Sequence, residues 1–291
     1  MGNTNRKKGL PFKFYNYWVN LDKFDETIEK AWKENIEGTY QFQLCHKLRN
    51  VKTELKKFTK NIFGKEKLHA DEARNALKEC QSNIDQFPND LSYRAQESDL
   101  MIRFLEAIRI EEEVAKQKSR NQWLEVGDRN TKYFYNAIKG RRNTNRISTL
   151  STPNGTLTNN DNEAKTEAVR YFEAMLGTKS PNCYPGIQNL QRIVQKRVTE
   201  DQFKLLETPP DDEEIKSTMF SIHSNKAPGP DGFNAFFFKH CWNLVGPLVT
   251  KAVKEFFSTN QLLAESNSTI ISLIPKIPNP TSMGEFRPIS C

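Results

Sequence analysis

Residues 225–233 read Asn-Lys-Ala-Pro-Gly-Pro-Asp-Gly-Phe. Two prolines and two glycines in nine residues exclude a helix interior or a central strand, so the stretch is an ordered loop. Downstream, the pattern predicts an aromatic helix from Phe236 to Phe257, bent at Gly246-Pro247. Next comes Ser268-Thr269-Ile270-Ile271-Ser272-Leu273-Ile274, closed by Pro275-Lys276, and its β-branched side chains predict a strand over Thr269–Ile274. The last residues are Phe286-Arg287-Pro288-Ile289-Ser290-Cys291.

Upstream of the loop, Thr208-Pro209-Pro210-Asp211-Asp212-Glu213-Glu214 has the form of a helix start, with prolines before it and carboxylates in the first turn. Ser180–Gly186 is a loop and a module boundary. Asp161–Leu176 predicts a helix with Ala164, Ala168, Phe172, Met175 and Leu176 inward and Gly177 as its stop. Pro153-Asn154-Gly155, set between Ile147 and Leu157, marks a short β-hairpin. Before it, Leu44, Leu48, Val51, Leu55, Phe58 and Ile62 alternate by four and three and fall on one seam of a long helix. Leu77, Cys80, Ile84 and Phe87 continue that spacing up to Pro88, and Met101, Phe104, Leu105, Ile108 and Ala115 resume it. An antiparallel helical hairpin or small bundle follows from this. The aromatic opening, Pro11 to Trp32, is expected to pack on a neighbour, with Phe24, Ile28 and Trp32 at helical spacing.

The 291 residues carry a net charge of +7 and 36% apolar residues, enough to form a core and to exclude a wholly disordered chain. No apolar run approaches the roughly 20 residues of a membrane span, and Met1–Lys8 is polar and basic, so no membrane partner and a soluble, intracellular protein are expected. Cysteines 45, 80, 183, 241 and 291 are odd in number and never spaced C-x-x-C, so buried thiols are expected rather than disulfides or a zinc site. Residues 1–150 hold 29 basic and 21 acidic side chains, the remainder 14 and 15. The excess is densest from Arg129 to Arg146, where Arg129, Lys132, Lys139, Arg141, Arg142 and Arg146 alternate with Tyr133, Phe134 and Tyr135 without an acid. Such a stretch suits nucleic acid, cations on phosphates and rings on unpaired bases, or else forms a solvated basic face with its aromatics turned into the core.

The order N-K-A-P-G-P-D-G-F, Phe-Phe-Lys with Cys-Trp, I-S-L-I-P-K and F-R-P-I-S-C resembles the start of the reverse transcriptase domain of non-LTR (LINE-type) retrotransposons, especially those of plants. Gln117-Lys118-Ser119-Arg120, Trp123-Leu124 and Gly127 to Phe134 are similar to the segment those polyproteins carry between endonuclease and polymerase. The resemblance runs from about Pro11 to Cys291. It implies a mainly α chain with minor β: a basic helical linker over residues 1–180, then over 181–291 the start of the fingers of an incomplete right-hand polymerase. By the same resemblance Lys276 would meet the outer phosphates of a dNTP, and Arg287 would contact the triphosphate and lie over the base, roles that suit a point charge and a planar fork. Lys226, Asp231 and Gly232 would belong to a loop handling primer and template.

Polymerisation requires two Mg²⁺ ions held by acidic side chains. In the family these acids stand downstream of F-R-P-I-S. The one Asp-Asp pair here, Asp211-Asp212, reads as a helix start, so no catalytic residue and no cofactor are assigned to this chain, Mg²⁺ belonging to the complete enzyme. The sequence therefore reads as a fragment of an RNA-directed DNA polymerase, a nucleotidyltransferase, that binds an RNA template and a DNA primer and lacks polymerase activity alone. It would reside in nucleus and cytoplasm as a ribonucleoprotein. A non-catalytic helical nucleic-acid-binding or scaffolding protein is the alternative. On the polymerase reading, the strand Thr269–Ile274 and the tail through Ile289 would normally be completed by palm elements, so apolar surface and a sheet edge are expected to be exposed there.

Overall fold

The computed structural model describes residues 11–63, 66–119, 131–147, 149–177, 192–194 and 196–290, apart from the side chains of 60–69, 131 and 132. The chain is mainly helical with minor β. In order it forms α1 (Phe24–Trp32), α2 (Tyr40–Phe63), α3 (Glu66–Gln86), α4 (Leu91–Ser119), α5 (Thr131–Thr144), α6 (Asp161–Gly177), α7 (Glu200–Glu207), α8 (Asp212–Ser221), α9 (Ala235–His240), α10 (Trp242–Thr259), β1 (Ile271–Pro275) and β2 (Phe286–Ser290). Two compact units each combine two stretches of chain: Met1–Gly140 with Asp212–Thr269, and Arg141–Asp211 with Ile270–Cys291. The expected boundary loop, Ser180–Gly186, lies outside the described residues.

The first unit is built on aromatic packing. Phe14, buried, meets Trp18 at 5.4 Å, Phe24 at 6.0 Å and Phe237 at 5.2 Å between ring centroids. Phe233 and Phe237 stand 4.3 Å apart, and Val245 and Val249 of α10 close the same core. The α2 seam enters it through the buried Leu48, Val51 and Leu55, with Leu44 and Phe58 partly buried beside them. A 3₁₀ turn, Asn16–Asn20, buries Tyr17 and Trp18, and α1 buries Phe24, Ile28 and Trp32, so the aromatic opening packs as its spacing predicts. Helices α3 and α4 run antiparallel about the Pro88 turn: Cys80 donates to the Tyr93 carbonyl at 3.3 Å, Gln81 to Glu97 at 3.0 Å, and Arg74 lies over the Phe104 ring.

The aromatic helix differs from expectation. It is divided at Cys241 into α9 and α10, and α10 continues through Pro247. Asn234 caps α9, its side chain accepting the Phe237 N–H at 3.1 Å. A proline at 247 leaves the Asn243 carbonyl without its helical donor, and because Asn243 is exposed, water can take the donor's place. Gly246 serves packing instead of breaking the helix, since a Cβ there would fall 2.7 Å from the Trp242 ring. Burial raises the Cys241 thiol to about 12, which keeps it protonated and inert. Cys80 is likewise a buried thiol, whereas Cys45 is only partly covered and Cys183 and Cys291 lie outside the described residues.

The second unit has a smaller core of Leu150, Ala164, Phe172, Met283 and Phe286. Its predicted hairpin forms: Thr152 donates to the Thr156 carbonyl at 2.8 Å, Thr158 to that of Leu150 at 2.8 Å, and Gly155 takes φ +76° at the turn. Leu150 N–H is satisfied by the buried Thr158 hydroxyl at 2.9 Å. α6 turns Ala164, Ala168 and Phe172 inward, but Met175 and Leu176 are exposed because the small core ends before the last turn of that helix. The predicted strand appears as β1, and the chain's last segment pairs with it antiparallel as β2, Ile271 opposite Ser290 and Pro275 opposite Phe286. Ile271, Ile274 and Ile289 are exposed, as expected for this strand.

Candidate nucleic-acid interface

Helix α5 carries most of the basic stretch, and the division between units falls within it, after Gly140. Its aromatics divide by face. Phe134 is 1% exposed, whereas Tyr133 and Tyr135 are 46% and 39% exposed, so two of the three rings face solvent and one anchors the helix. The Tyr135 hydroxyl donates to Glu111 of α4 at 3.1 Å, which fixes its ring. Lys139 on the same helix is exposed. Arg129 lies outside the described residues, as does the Lys132 side chain.

Arg141 and Arg142 occupy the last turn of α5, where cations offset the negative end of the helix dipole. Both are exposed, as is Arg146 two residues beyond the helix. Among the described residues the ion pairs formed elsewhere do not involve Lys139, Arg141, Arg142 or Arg146. Four exposed cations without carboxylate partners are free to neutralise phosphates.

Arg287 stands on β2, and Lys276 directly follows β1. Arg287 is opposite Ile274, and Lys276 extends the ladder by donating its N–H to the Glu285 carbonyl at 2.8 Å, so register places the two cations on one face of the hairpin. Arg287 is exposed, but the Lys276 ammonium donates to the Gly284 carbonyl at 2.7 Å. The connection between the strands is braced from within. Glu285 accepts the backbone N–H of Thr281 at 2.7 Å and of Ser282 at 3.1 Å, and these bonds, Ser282 first, hold its carboxyl below the ordinary 4.5. A lowered acid stabilises the folded form above its unfolded value and loses that contribution as pH falls through the folded one. Acidification through that lowered value, which lies under 4.5, will therefore release Thr281 and Ser282, and Glu285→Gln will weaken their bonds at neutral pH; amide exchange at those two residues is the readout.

Lys226 is exposed in the 225–233 loop of the first unit. That loop is clamped by the aromatic opening: Phe14 N–H donates to the Gly232 carbonyl at 2.9 Å, and Asn16 bonds Asn225 at 3.2 Å and Asn234 at 2.7 Å. Gln117 completes the clamp, accepting the Asn16 N–H at 2.9 Å and donating to the Phe14 carbonyl at 2.8 Å. Beside the loop, a cleft of about 560 Å³ is lined by Arg49 and Lys52 of α2, Asp231 and Glu265. Burial raises the Asp231 carboxyl and lowers the Lys52 ammonium, while Arg49 pairs with Glu265 at 2.5 Å. Sequence reasoning missed Asn16, Arg49 and Lys52, since an asparagine in an aromatic run and cations on a helix flank have no motif of their own.

Asp212 opens α8 and pairs with Lys254, and among the described residues His, Cys, Asp and Glu side chains form no group of three. Among those residues, too, no helix is long and apolar enough to cross a membrane.

No family model matches the chain. Over 173 residues it is 29% identical to the Transposon TX1 uncharacterized 149 kDa protein of Xenopus laevis, a match covering 60% of this chain and 13% of that protein. The chain is thus similar to part of a transposon-encoded protein, and spans a small share of its length.

Proposed function

We propose that this chain is part of a retrotransposon RNA-directed DNA polymerase and that it binds an RNA template and a DNA primer through the basic stretch of α5 and the residues after it. The observation that carries this reading is the set of exposed cations, Lys139, Arg141, Arg142 and Arg146, without ion pairs, on and beside a helix that also turns Tyr133 and Tyr135 to solvent. Phosphate neutralisation and base stacking need that combination. The likeness to a transposon-encoded protein supports the lineage. Lys226 and Asp231 are assigned to primer-template handling, Lys276 and Arg287 to the triphosphate of a dNTP. Asp212, paired with Lys254 at the start of α8, is given no metal-binding role in this reading. As a ribonucleoprotein it would occupy nucleus and cytoplasm.

One observation favours the second reading, a non-catalytic nucleic-acid-binding or scaffolding protein: Lys276 is engaged by the Gly284 carbonyl of its own loop. Nucleotide binding separates the two. If the polymerase reading holds, a primer-template complex of the full chain will bind dNTP saturably, and Arg287→Ala will weaken it at least tenfold. Primer-template binding without any dNTP binding would establish the second reading.

A further inference from the structure

In the second unit a cavity of about 400 Å³ opens between the end of α5 and the connection from β1 to β2. Its lining includes Asn143, Arg146, Ile277, Pro278, Asn279 and Pro280. No carboxylate lines it, which disfavours a cation, and it holds one guanidinium, matching a single phosphate rather than a polyphosphate. The volume lies at the lower end of ligand pockets, about 300–1,000 Å³, and suits a group of nucleotide size. Ile277 and the two prolines offer apolar faces to a flat ring. A carboxamide carries a donor pair and an acceptor, the complement of a base edge, and two of them line this cavity.

The loop side is held in place before anything binds. Asn279 takes φ +50° between two prolines, Thr281 and Ser282 are bonded to Glu285, and the Ser151 N–H donates to the Thr281 carbonyl at 2.7 Å. A loop so fixed loses little entropy on binding.

Resting on the RNA-binding reading above, we propose that this cavity is a subsite for one unpaired nucleotide of the bound strand, its base against Ile277, Pro278 and Pro280, its polar edge at the amides of Asn143 and Asn279, and its phosphate at Arg146. The basic surface supplies affinity without regard to sequence, and the cavity adds a preference for one base over others.

The test compares binding of the full chain to four single-stranded homopolymer RNAs, with the matching mononucleotides as competitors. Asn279→Gly removes the amide yet keeps a left-handed backbone accessible, and Asn143→Ala removes the other amide from an exposed helix end. Wild type is expected to prefer one homopolymer at least fivefold. Each variant should cut that preference below twofold while the dependence on salt stays as in wild type. Preference unchanged in both variants, with salt-sensitive binding intact, overturns the subsite and leaves the RNA-binding reading standing. Absence of salt-sensitive RNA binding in wild type overturns both. A mononucleotide that binds in the absence of RNA, loses binding in Asn279→Gly and leaves RNA affinity unaffected overturns the strand assignment in favour of a free nucleotide.

Discussion

Gly232→Ala is expected to destabilise the unit formed by Met1–Gly140 and Asp212–Thr269 by about 3 kcal/mol or more, at the top of the range for single substitutions. Gly232 has φ +86°, a conformation costing an L-residue about 1–2 kcal/mol. The added methyl would also lie 2.3 Å from the Phe12 carbonyl oxygen and 3.0 Å from its carbonyl carbon, both backbone atoms. That backbone cannot withdraw freely, because the Phe14 N–H donates to the Gly232 carbonyl and Phe14 is 1% exposed in the aromatic core. Gly229, three residues earlier, is the internal control: its Cβ would meet only the Asp231 carboxylate, at 3.5 Å, so Gly229→Ala should be nearly neutral. Denaturant unfolding monitored by tryptophan fluorescence, with Trp18 inside this core, distinguishes them. Equal stability of the two variants would mean that the opening segment does not clamp the loop.

This clamp explains what was legible in the sequence and what was not. The Asn225–Phe233 loop declares itself by its prolines and glycines, but nothing in those residues says that Phe12, Phe14 and Asn16, two hundred positions away, hold it. Periodic helices were readable because their signal is local: Leu48, Val51 and Leu55 lie on the seam that their spacing defines, and all three are buried. The passage of α10 through Gly246-Pro247 was not, because that pair has the composition of a helix breaker while the Trp242 ring packs on Gly246 and Asn243, which loses its donor, is exposed. β2 was hidden by Pro288, which suits a two-stranded sheet where every strand is an edge. For the candidate interface, composition gave the stretch but left its rings undecided between core and solvent. The structure divides them, Phe134 in and Tyr133 and Tyr135 out, a distinction set by where α5 meets its neighbours.

The second large effect concerns RNA. Arg141→Ala/Arg142→Ala is expected to lower affinity for single-stranded RNA about tenfold or more near physiological salt, because two cations without carboxylate partners are lost. Removing the same charge from paired residues, Lys57→Ala/Arg74→Ala, should cost much less, since Lys57 is engaged by Glu54 at 2.6 Å and Arg74 by Asp71 at 3.0 Å. Net charge falls equally in both variants, so any difference between them reports the placement of the arginines and not overall attraction. Circular dichroism of both variants should match wild type, as Arg141, Arg142 and Lys57 face solvent and Arg74 is about half exposed, covering only the Phe104 ring.

The most direct measurement is the slope of log affinity against log salt for a single-stranded RNA, in wild type and in the Arg141→Ala/Arg142→Ala variant. Two lost contacts at about 0.7 per single-strand phosphate predict a slope shallower by about 1.4 in the variant. Coincident slopes, or a wild type whose binding does not respond to salt, would contradict the assignment of α5 and its following residues as the nucleic-acid surface.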